Sequence, residues 1–220
     1  MVVQNKIQGR RTQAERRQSA KEALLQAAAE LVAEQGVQRS SLADIGEKAG
    51  YSRGLVNRHF GTKDALISEL AALCQQSFIG SVKLPSDETG VEHVLRLADA
   101  YLGVYMSPEI YSRAFLVMWG EAFPGMAVEG EFAEADARAK SGIADCVKRG
   151  IADGSVQPGV DIDAFAAALL GMLRGIAGTS LVSPSEFDVK RMREQCHYLA
   201  RNSGHIKHRT RSRLSKATAS

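Results

Sequence analysis

The stretch Ser40–Lys63, SSLADIGEKAGYSRGLVNRHFGTK, decides how the chain should fold. Its apolar positions and turn residues predict two short helices joined by a tight turn, with another helix beginning at its end. The second short helix carries Arg53, Asn57, Arg58 and His59 and no acidic residue. A helix of that composition, placed after a tight turn, is typical of a helix-turn-helix, whose second helix enters the major groove of DNA.

Residues that cap and end helices recur at the right intervals around this stretch. Gly36 is placed to end a long first helix, and Gly50 to take the φ > 0 conformation of a sharp turn. Ser41, followed three residues on by an acid, forms an S-x-x-D capping box, and Ser52 and Thr62 are placed to cap the next two helices. The residues predicted to face the core are Leu42, Ile45, Ala49, Tyr51, Leu55, Val56 and Phe60.

The rest of the chain is also predicted to be helical, because no alternating strand pattern occurs in it. Ser107, Pro108 and Glu109 indicate the start of a sixth helix, and Ser183 the start of a ninth. The eighth helix, over 162–182, is apolar on nearly every face, so we expect it to be covered on all sides, in part by a second subunit.

Composition and charge narrow the class of protein. The 220 residues are 45% hydrophobic and 24% charged, which is ordinary for a globular protein. The net charge is only +3, but the first 22 residues, the stretch 39–63 and the last 20 residues are basic, whereas 64–200 is acidic. A phosphate backbone would therefore attract the N-terminal third of the chain and repel its middle.

Several other classes of protein lack support. The sequence has no run of 18 apolar residues and no secretory leader, so we expect a cytoplasmic protein with no membrane partner. The three cysteines are far apart and are expected to be reduced, and no metal-ligand spacing or cofactor motif occurs. No P-loop, paired-glycine fingerprint or HExxH motif is present, so we expect no enzyme activity.

Three motifs together resemble the tetracycline-repressor (TetR) family of bacterial regulators. They are the end of the first helix, LVAEQG; the central SSLADIGEKAGYSRGLVNRHF; and the following GTKDAL. The resemblance covers residues 14–67, about a quarter of the chain, and implies an all-α fold of about nine helices. In that fold an N-terminal three-helix helix-turn-helix domain precedes a C-terminal helical domain that binds a ligand and dimerises.

The resemblance also suggests domain boundaries. We predict a basic disordered arm at 1–13, the DNA-binding domain at 14–63, the ligand-binding and dimerisation domain at 64–202 and a basic disordered tail at 203–220. The arm carries arginines that could enter the minor groove or hold the DNA backbone. The tail is expected to be solvated rather than to contact DNA specifically.

The helix-turn-helix supplies the candidate DNA contacts. Arg53 is placed to bond guanine in two places, and Lys63 to reach a phosphate. Asn57 stands where the family has a tyrosine, and could bond either adenine or phosphate; Leu55 replaces a small or hydroxylated residue. The predicted DNA-binding residues are Ser41, Ser52, Arg53, Gly54, Asn57, Arg58, His59, Thr62 and Lys63.

The family's regulatory half gives weaker expectations. Aromatic and methionine residues on the fifth and sixth helices predict a largely apolar pocket for a small molecule. The predicted ligand residues are Tyr101, Tyr105, Tyr111, Phe115, Met118 and Trp119. Small residues on the eighth helix allow close approach in a four-helix bundle between subunits. The predicted dimer residues are Phe165, Leu169, Leu173, Ile176, Met192 and Leu199.

The expected function is a sequence-specific transcriptional regulator. A homodimer would bind double-stranded DNA at a palindromic operator as a repressor and leave it when a small effector binds. Two alternatives stay open. The chain could be a helical adaptor that keeps the fold without specific DNA binding, or an activator of the same fold.

Overall fold

A computed structural model describes residues 12–122, 129–183 and 187–203. Within those ranges the chain forms nine α-helices and no strand, which confirms the all-α prediction. The helices are α1 Gln13–Arg39, α2 Leu42–Lys48, α3 Arg53–Phe60, α4 Lys63–Ser81, α5 Gly90–Tyr105, α6 Ile110–Glu121, α7 Glu129–Asp153, α8 Ile162–Val182 and α9 Val189–Ser203. The predicted N-terminal arm to residue 11 and the tail from 204 lie outside them.

The chain divides into two compact units. One holds residues 1–81 and 103–137, and the other holds 82–102 and 138–220. The first unit therefore combines the helix-turn-helix with α4 and α6, and the second contains α8 and α9. These units divide the chain differently from the functional domains predicted at 14–63 and 64–202, which stay a prediction.

The core of the first unit lies where α1, α4 and α6 meet. Leu24 and Val32 of α1, Leu66 and Leu70 of α4 and Met118 of α6 are all fully buried. Side chains of this size, removed completely from water, each contribute on the order of 1.5–3 kcal/mol of burial free energy. The three helices thus form the body against which the two short helices pack.

The end of α6 is bonded to the end of α1. Gly36 has φ +85°, so it ends the regular part of α1 as predicted, and the chain turns there toward α2. The Val37 N–H donates to the Glu121 carboxylate at 3.0 Å, and the Ser40 hydroxyl donates to the Gly36 carbonyl at 2.8 Å. A carboxylate from α6 therefore satisfies a backbone donor at the entrance to the helix-turn-helix.

In the second unit, the segment before α5 is bonded to the end of α7. Arg149 donates to the carbonyls of Ser86 and Glu88 at 2.7 and 2.9 Å, and the Gly90 N–H donates to Asp153 at 2.7 Å. The hydroxyl of Ser155 and the Gly90 amide together lower the pKa of Asp153. These bonds hold the start of α5 against the end of α7.

Two predicted helix starts are wrong. Helix α6 begins at Ile110 rather than at Ser107, because the Ser107 hydroxyl accepts the Glu109 N–H in a local turn before the helix. Helix α9 begins at Val189, and the carboxylate of Asp188 accepts the N–H groups that follow it. Ser183 and residues 187 and 188 are not helical, so α9 does not begin at Ser183; residues 184–186 lie outside the described structure.

Helix α8 begins as predicted, because Asp161 accepts the Ala164 N–H at 3.0 Å.

By length and composition α8 is the one helix, among the parts of the chain described, that could cross a membrane. The absence of 18 consecutive apolar residues therefore does not exclude such a helix. The core helices of soluble proteins pass the same test, so α8 alone is weak evidence for a membrane span.

All three cysteines are buried and unpaired with one another, as the sequence predicts. Burial raises the pKa of the Cys74 thiol to about 12, and it also raises the pKa values of Cys146 and Cys196. The thiols are therefore protonated at neutral pH and pack as small apolar groups.

We predict that Gly90→Ala destabilises the second unit. A Cβ at Gly90 would lie 2.5 Å from the Cys146 carbonyl oxygen and closer still to the Gly150 nitrogen, both of them backbone atoms of α7. Urea unfolding should show a loss of roughly 1–3 kcal/mol. Gly142→Ala is the control, because its Cβ meets nothing within 4 Å, and that variant should be unchanged or slightly more stable.

Candidate nucleic-acid interface

The two short helices touch at a glycine. Gly46 of α2 is buried, and a Cβ there would lie 2.9 Å from the Tyr51 carbonyl oxygen and 3.1 Å from a methyl of Val56. The Tyr51 N–H also donates to the Gly46 carbonyl at 2.7 Å. The angle between α2 and α3 therefore depends on a missing side chain. Sequence reasoning missed this role, although a glycine in the middle of a short helix is the kind of signal that indicates it.

The turn and caps of the helix-turn-helix follow the prediction. Gly50 has φ +75°. The Ser41 hydroxyl accepts the Asp44 N–H at 3.2 Å and donates to the Asp44 carboxylate at 2.7 Å. The Ser41 hydroxyl and amide lower the pKa of Asp44. Ser52 accepts from the third amide of α3 at 3.4 Å, and Thr62 from the Ala65 N–H of α4 at 3.1 Å.

The outer face of α3 carries four of the nine predicted DNA contacts. Arg53, Gly54, Asn57 and Arg58 are exposed, and no acidic residue lies on this helix. Val56 and Phe60 are buried on the opposite face, as predicted. The exposed surface of α3 can therefore meet a groove without disturbing the core.

Several residues that were expected to face the core are only partly covered. Leu55 lies between the buried and the exposed faces of α3. The short α2 is covered mainly along one line, centred on Ile45 and Gly46, which leaves its flanking apolar residues half-exposed. The residues of intermediate exposure are Leu42, Ala49, Tyr51 and Leu55.

His59 lies half-buried at the end of α3, beside positive charge. Burial lowers the pKa of its imidazole, and the nearby Arg17, Lys21 and Arg58 lower it further. The lowered pKa favours the neutral ring, which can donate one hydrogen bond to a phosphate.

The Lys63 ammonium donates to the Gln38 carbonyl at 3.2 Å. This bond joins the first residue of α4 to the end of α1. Lys63 thus lies at the edge of the helix-turn-helix, as the sequence predicts, with an acceptor inside the protein. Its predicted contact with phosphate stays a prediction.

Nothing within the protein explains Gly54. Its φ is not positive, and an added Cβ would meet only the Ser52 hydroxyl oxygen, at 3.8 Å. Glycine in a helix costs up to about 1 kcal/mol relative to alanine. Gly54 is exposed in the middle of the outer surface of α3, and the space that a side chain would occupy there is open to solvent.

Five of the six predicted ligand residues lie in the first unit. The rings of Tyr105 and Phe115 stack at 4.3 Å, and the Phe115 ring lies 5.4 Å from that of Phe132. Phe78 of α4 approaches Tyr105 at 6.0 Å. Met118 is fully buried, whereas Tyr111 and Trp119 are partly exposed. The sixth residue, Tyr101, is buried and lies in the second unit.

The predicted dimer residues lie on α8 and α9. Phe165, Leu169 and Leu199 line an apolar groove of about 390 Å³ between these helices. Leu173 is buried within the chain, and Ile176 and Met192 are half-buried. Helix α8 also carries exposed small residues. At two of them, Gly171 and Gly175, an added Cβ would meet nothing within 4 Å. These exposed small residues are Ala164, Ala167, Ala168, Gly171 and Gly175.

Comparison with known families gives the class of the protein. Residues 24–70, which include all of α2 and α3, match the bacterial regulatory proteins of the tetR family. Residues 90–203, about half of the chain, match the C-terminal region of BetI-type transcriptional repressors. The chain belongs to the TetR family, whose members are transcriptional regulators rather than enzymes.

Curated relatives support the same class. The HTH-type transcriptional repressor Rv3405c of Mycobacterium tuberculosis is 51% identical over 45 residues, which are 20% of this chain and 24% of that protein. The matched segment thus spans about a quarter of the length of that relative. The repressor KstR2 of Mycolicibacterium smegmatis is 24% identical over 148 residues, which are 66% of this chain and 71% of that protein.

Solved structures share the fold over most of the chain. A transcriptional regulator from Saccharomonospora viridis, solved with choline, superposes with a TM-score of 0.70 at 22% identity, covering 83% of this chain and 95% of that one. SmeT, solved with triclosan, gives 0.68 at 21% identity, covering 83% and 90%. At these identities the likeness shows the fold alone.

We predict that Gly46→Ala destabilises the helix-turn-helix. The added methyl would press on the Tyr51 carbonyl, and roughly 1–3 kcal/mol of the free energy of unfolding should be lost. Urea unfolding measures the change. Gly54→Ala is the matched control in the adjacent helix and should be as stable as the parent or up to about 1 kcal/mol more stable. Equal stability of the two variants would contradict close packing at Gly46.

Proposed function

We propose that the protein is a cytoplasmic, homodimeric repressor that binds a palindromic operator and releases it when a small, largely apolar molecule binds. The observation that carries the proposal is the outer face of α3. Its exposed side chains are two arginines and an asparagine, with no acid, on a helix held rigidly by Gly46 and by its caps. Such a face suits base edges and phosphates in a major groove.

Charge supports the orientation on DNA. The stretch 39–63 has a net charge of +3, whereas 64–200 has −8. Lys48 is paired with Glu30 and Glu34, so its charge is balanced inside the protein. Arg53, Arg58 and Arg17, which lies near His59, supply the field at α3, whereas Lys21 is paired with Glu69. The helix-turn-helix is thus the part of the chain that a phosphate backbone attracts.

Dimerisation would use the exposed small residues of α8 and the apolar groove beside α9. An α8 with Gly171 and Gly175 on its outer face allows a second helix to approach closely. Exposed apolar side chains at the end of α8 also favour a partner there: Val182 is 82% exposed and Leu181 39%. In such a dimer the two α3 helices should lie one turn of DNA apart, about 34–36 Å.

Helix α4 is the proposed route from ligand to DNA. It begins at Lys63, which is bonded to the end of α1, and 15 residues later carries Phe78, which lies against Tyr105 of the aromatic cluster. A ligand that displaces these rings would move α4 and so pull on the Gln38 carbonyl. The ligand must bind the released state more tightly than the DNA-bound state, since otherwise it shifts nothing.

The function is tested by selecting operators from a library of random duplexes and measuring binding by mobility shift. Arg53→Ala should weaken binding to the selected palindrome by about 1–3 kcal/mol and relax the base preference at one position. Arg113→Ala, an exposed arginine of α6, is the control and should bind as the parent does. Binding with a salt dependence but no enriched sequence would favour a non-specific binder, and no binding would favour an adaptor.

We predict that Gly171→Arg yields a monomer. The exposed side chain has open space in a single chain, so it should leave the fold intact, but it would bury an unpaired charge against a second subunit. Light scattering at micromolar concentration measures the mass. Gly142→Arg, on an equally open position of α7, should remain a dimer. A parent protein that is itself monomeric would refute the dimer.

A further inference from the structure

Leu55 occupies an unusual position on the recognition helix. At 3.6 residues per turn, Arg53 and Asn57 form one row on α3, Gly54 and Arg58 the next, and Leu55 and His59 a third. The remaining positions, Val56 and Phe60, are buried. The third row is half-buried, so Leu55 shows part of its apolar surface beside the exposed residues.

The core of the helix-turn-helix does not account for that surface. Val56 is completely buried and Phe60 is 9% exposed, so the inner face of α3 is filled without Leu55. The other residues on the outside of α3 can bond phosphates or base edges. An isobutyl group can do neither, and the apolar feature that the major groove offers is the 5-methyl group of thymine.

Gly54 brings Leu55 within reach of that methyl group. The glycine lies between Arg53 and Leu55 in sequence, is exposed, and has no side chain to keep the helix away from DNA.

We infer that Leu55 is a specificity-determining residue that packs against the 5-methyl group of a thymine in each operator half-site. The inference rests on the proposed function, because it names a feature of the DNA that the helix-turn-helix binds. It differs from the hydrogen-bonded contacts in one respect: the group recognised can be removed from DNA without changing any hydrogen bond.

The experiment replaces the thymines of a selected operator, one at a time, with deoxyuridine, which lacks only the methyl group. At one thymine per half-site the full-length parent protein should bind about fourfold more weakly, the loss expected when one buried methyl group is removed. The substitution is made in the DNA and leaves the protein unchanged, so misfolding of the protein cannot produce the result.

The same scan with Leu55→Ala identifies the partner. That variant should bind thymine and deoxyuridine operators equally at the sensitive position, because the surface that covers the methyl group is gone. Leu84→Ala is the matched control: it removes the same atoms from a leucine that is 41% exposed outside the helix-turn-helix, and it should keep the fourfold dependence.

The outcomes separate the two proposals. If no duplex is enriched, specific DNA binding fails and the thymine contact fails with it. If a palindrome is enriched but no thymine is sensitive, or if Leu55→Ala keeps the sensitivity, specific binding stands and the role of Leu55 is refuted.

Discussion

The contact between Gly46 and the start of α3 is the constraint on which the DNA-binding surface depends. A Cβ on any larger residue at position 46 would lie 2.9 Å from the Tyr51 carbonyl oxygen. This close approach sets how near α3 lies to α2. With α3 in that place, its apolar Val56 is buried against Gly46, and Arg53 and Asn57 are exposed on the opposite side.

Two further bonds hold the same corner from outside the helix-turn-helix. Glu121 of α6 accepts the Val37 N–H, and Lys63 of α4 donates to the Gln38 carbonyl. Both partners are backbone groups at the end of α1, one residue apart. A displacement of either helix would therefore act on the segment that leads into α2. In the proposed switch, a movement of α4 or α6 would therefore act on the end of α1. The two short helices would move without changing their own internal structure.

Much of the fold could be predicted because it depends on local chemistry. Ser41, Ser52, Thr62 and Asp161 bond the amides three residues ahead, and Gly36 and Gly50 have the positive φ expected of them. Each such feature is set by a few neighbouring residues, so a single sequence is enough to find it. The TetR family itself was recognised from the same stretch.

The features that could not be predicted depend on distant parts of the chain or on packing in three dimensions. The Glu121 bond joins residues 84 positions apart, and no periodic pattern indicates it. The close packing of Gly90 on α7 is of the same kind. Ser107 has the composition of a helix cap, but it bonds a local turn instead. Leu55 fits an apolar pattern, yet α3 is too short and too narrowly packed to cover it.

The three cysteines have a consequence for the kind of signal that this protein can receive. Oxidation and alkylation proceed through the thiolate, and burial keeps all three thiols protonated. An oxidant in the surrounding solution therefore finds little to react with at Cys74, Cys146 and Cys196. The proposed response to a small molecule would therefore not depend on these thiols, and it would reverse when the molecule dissociates.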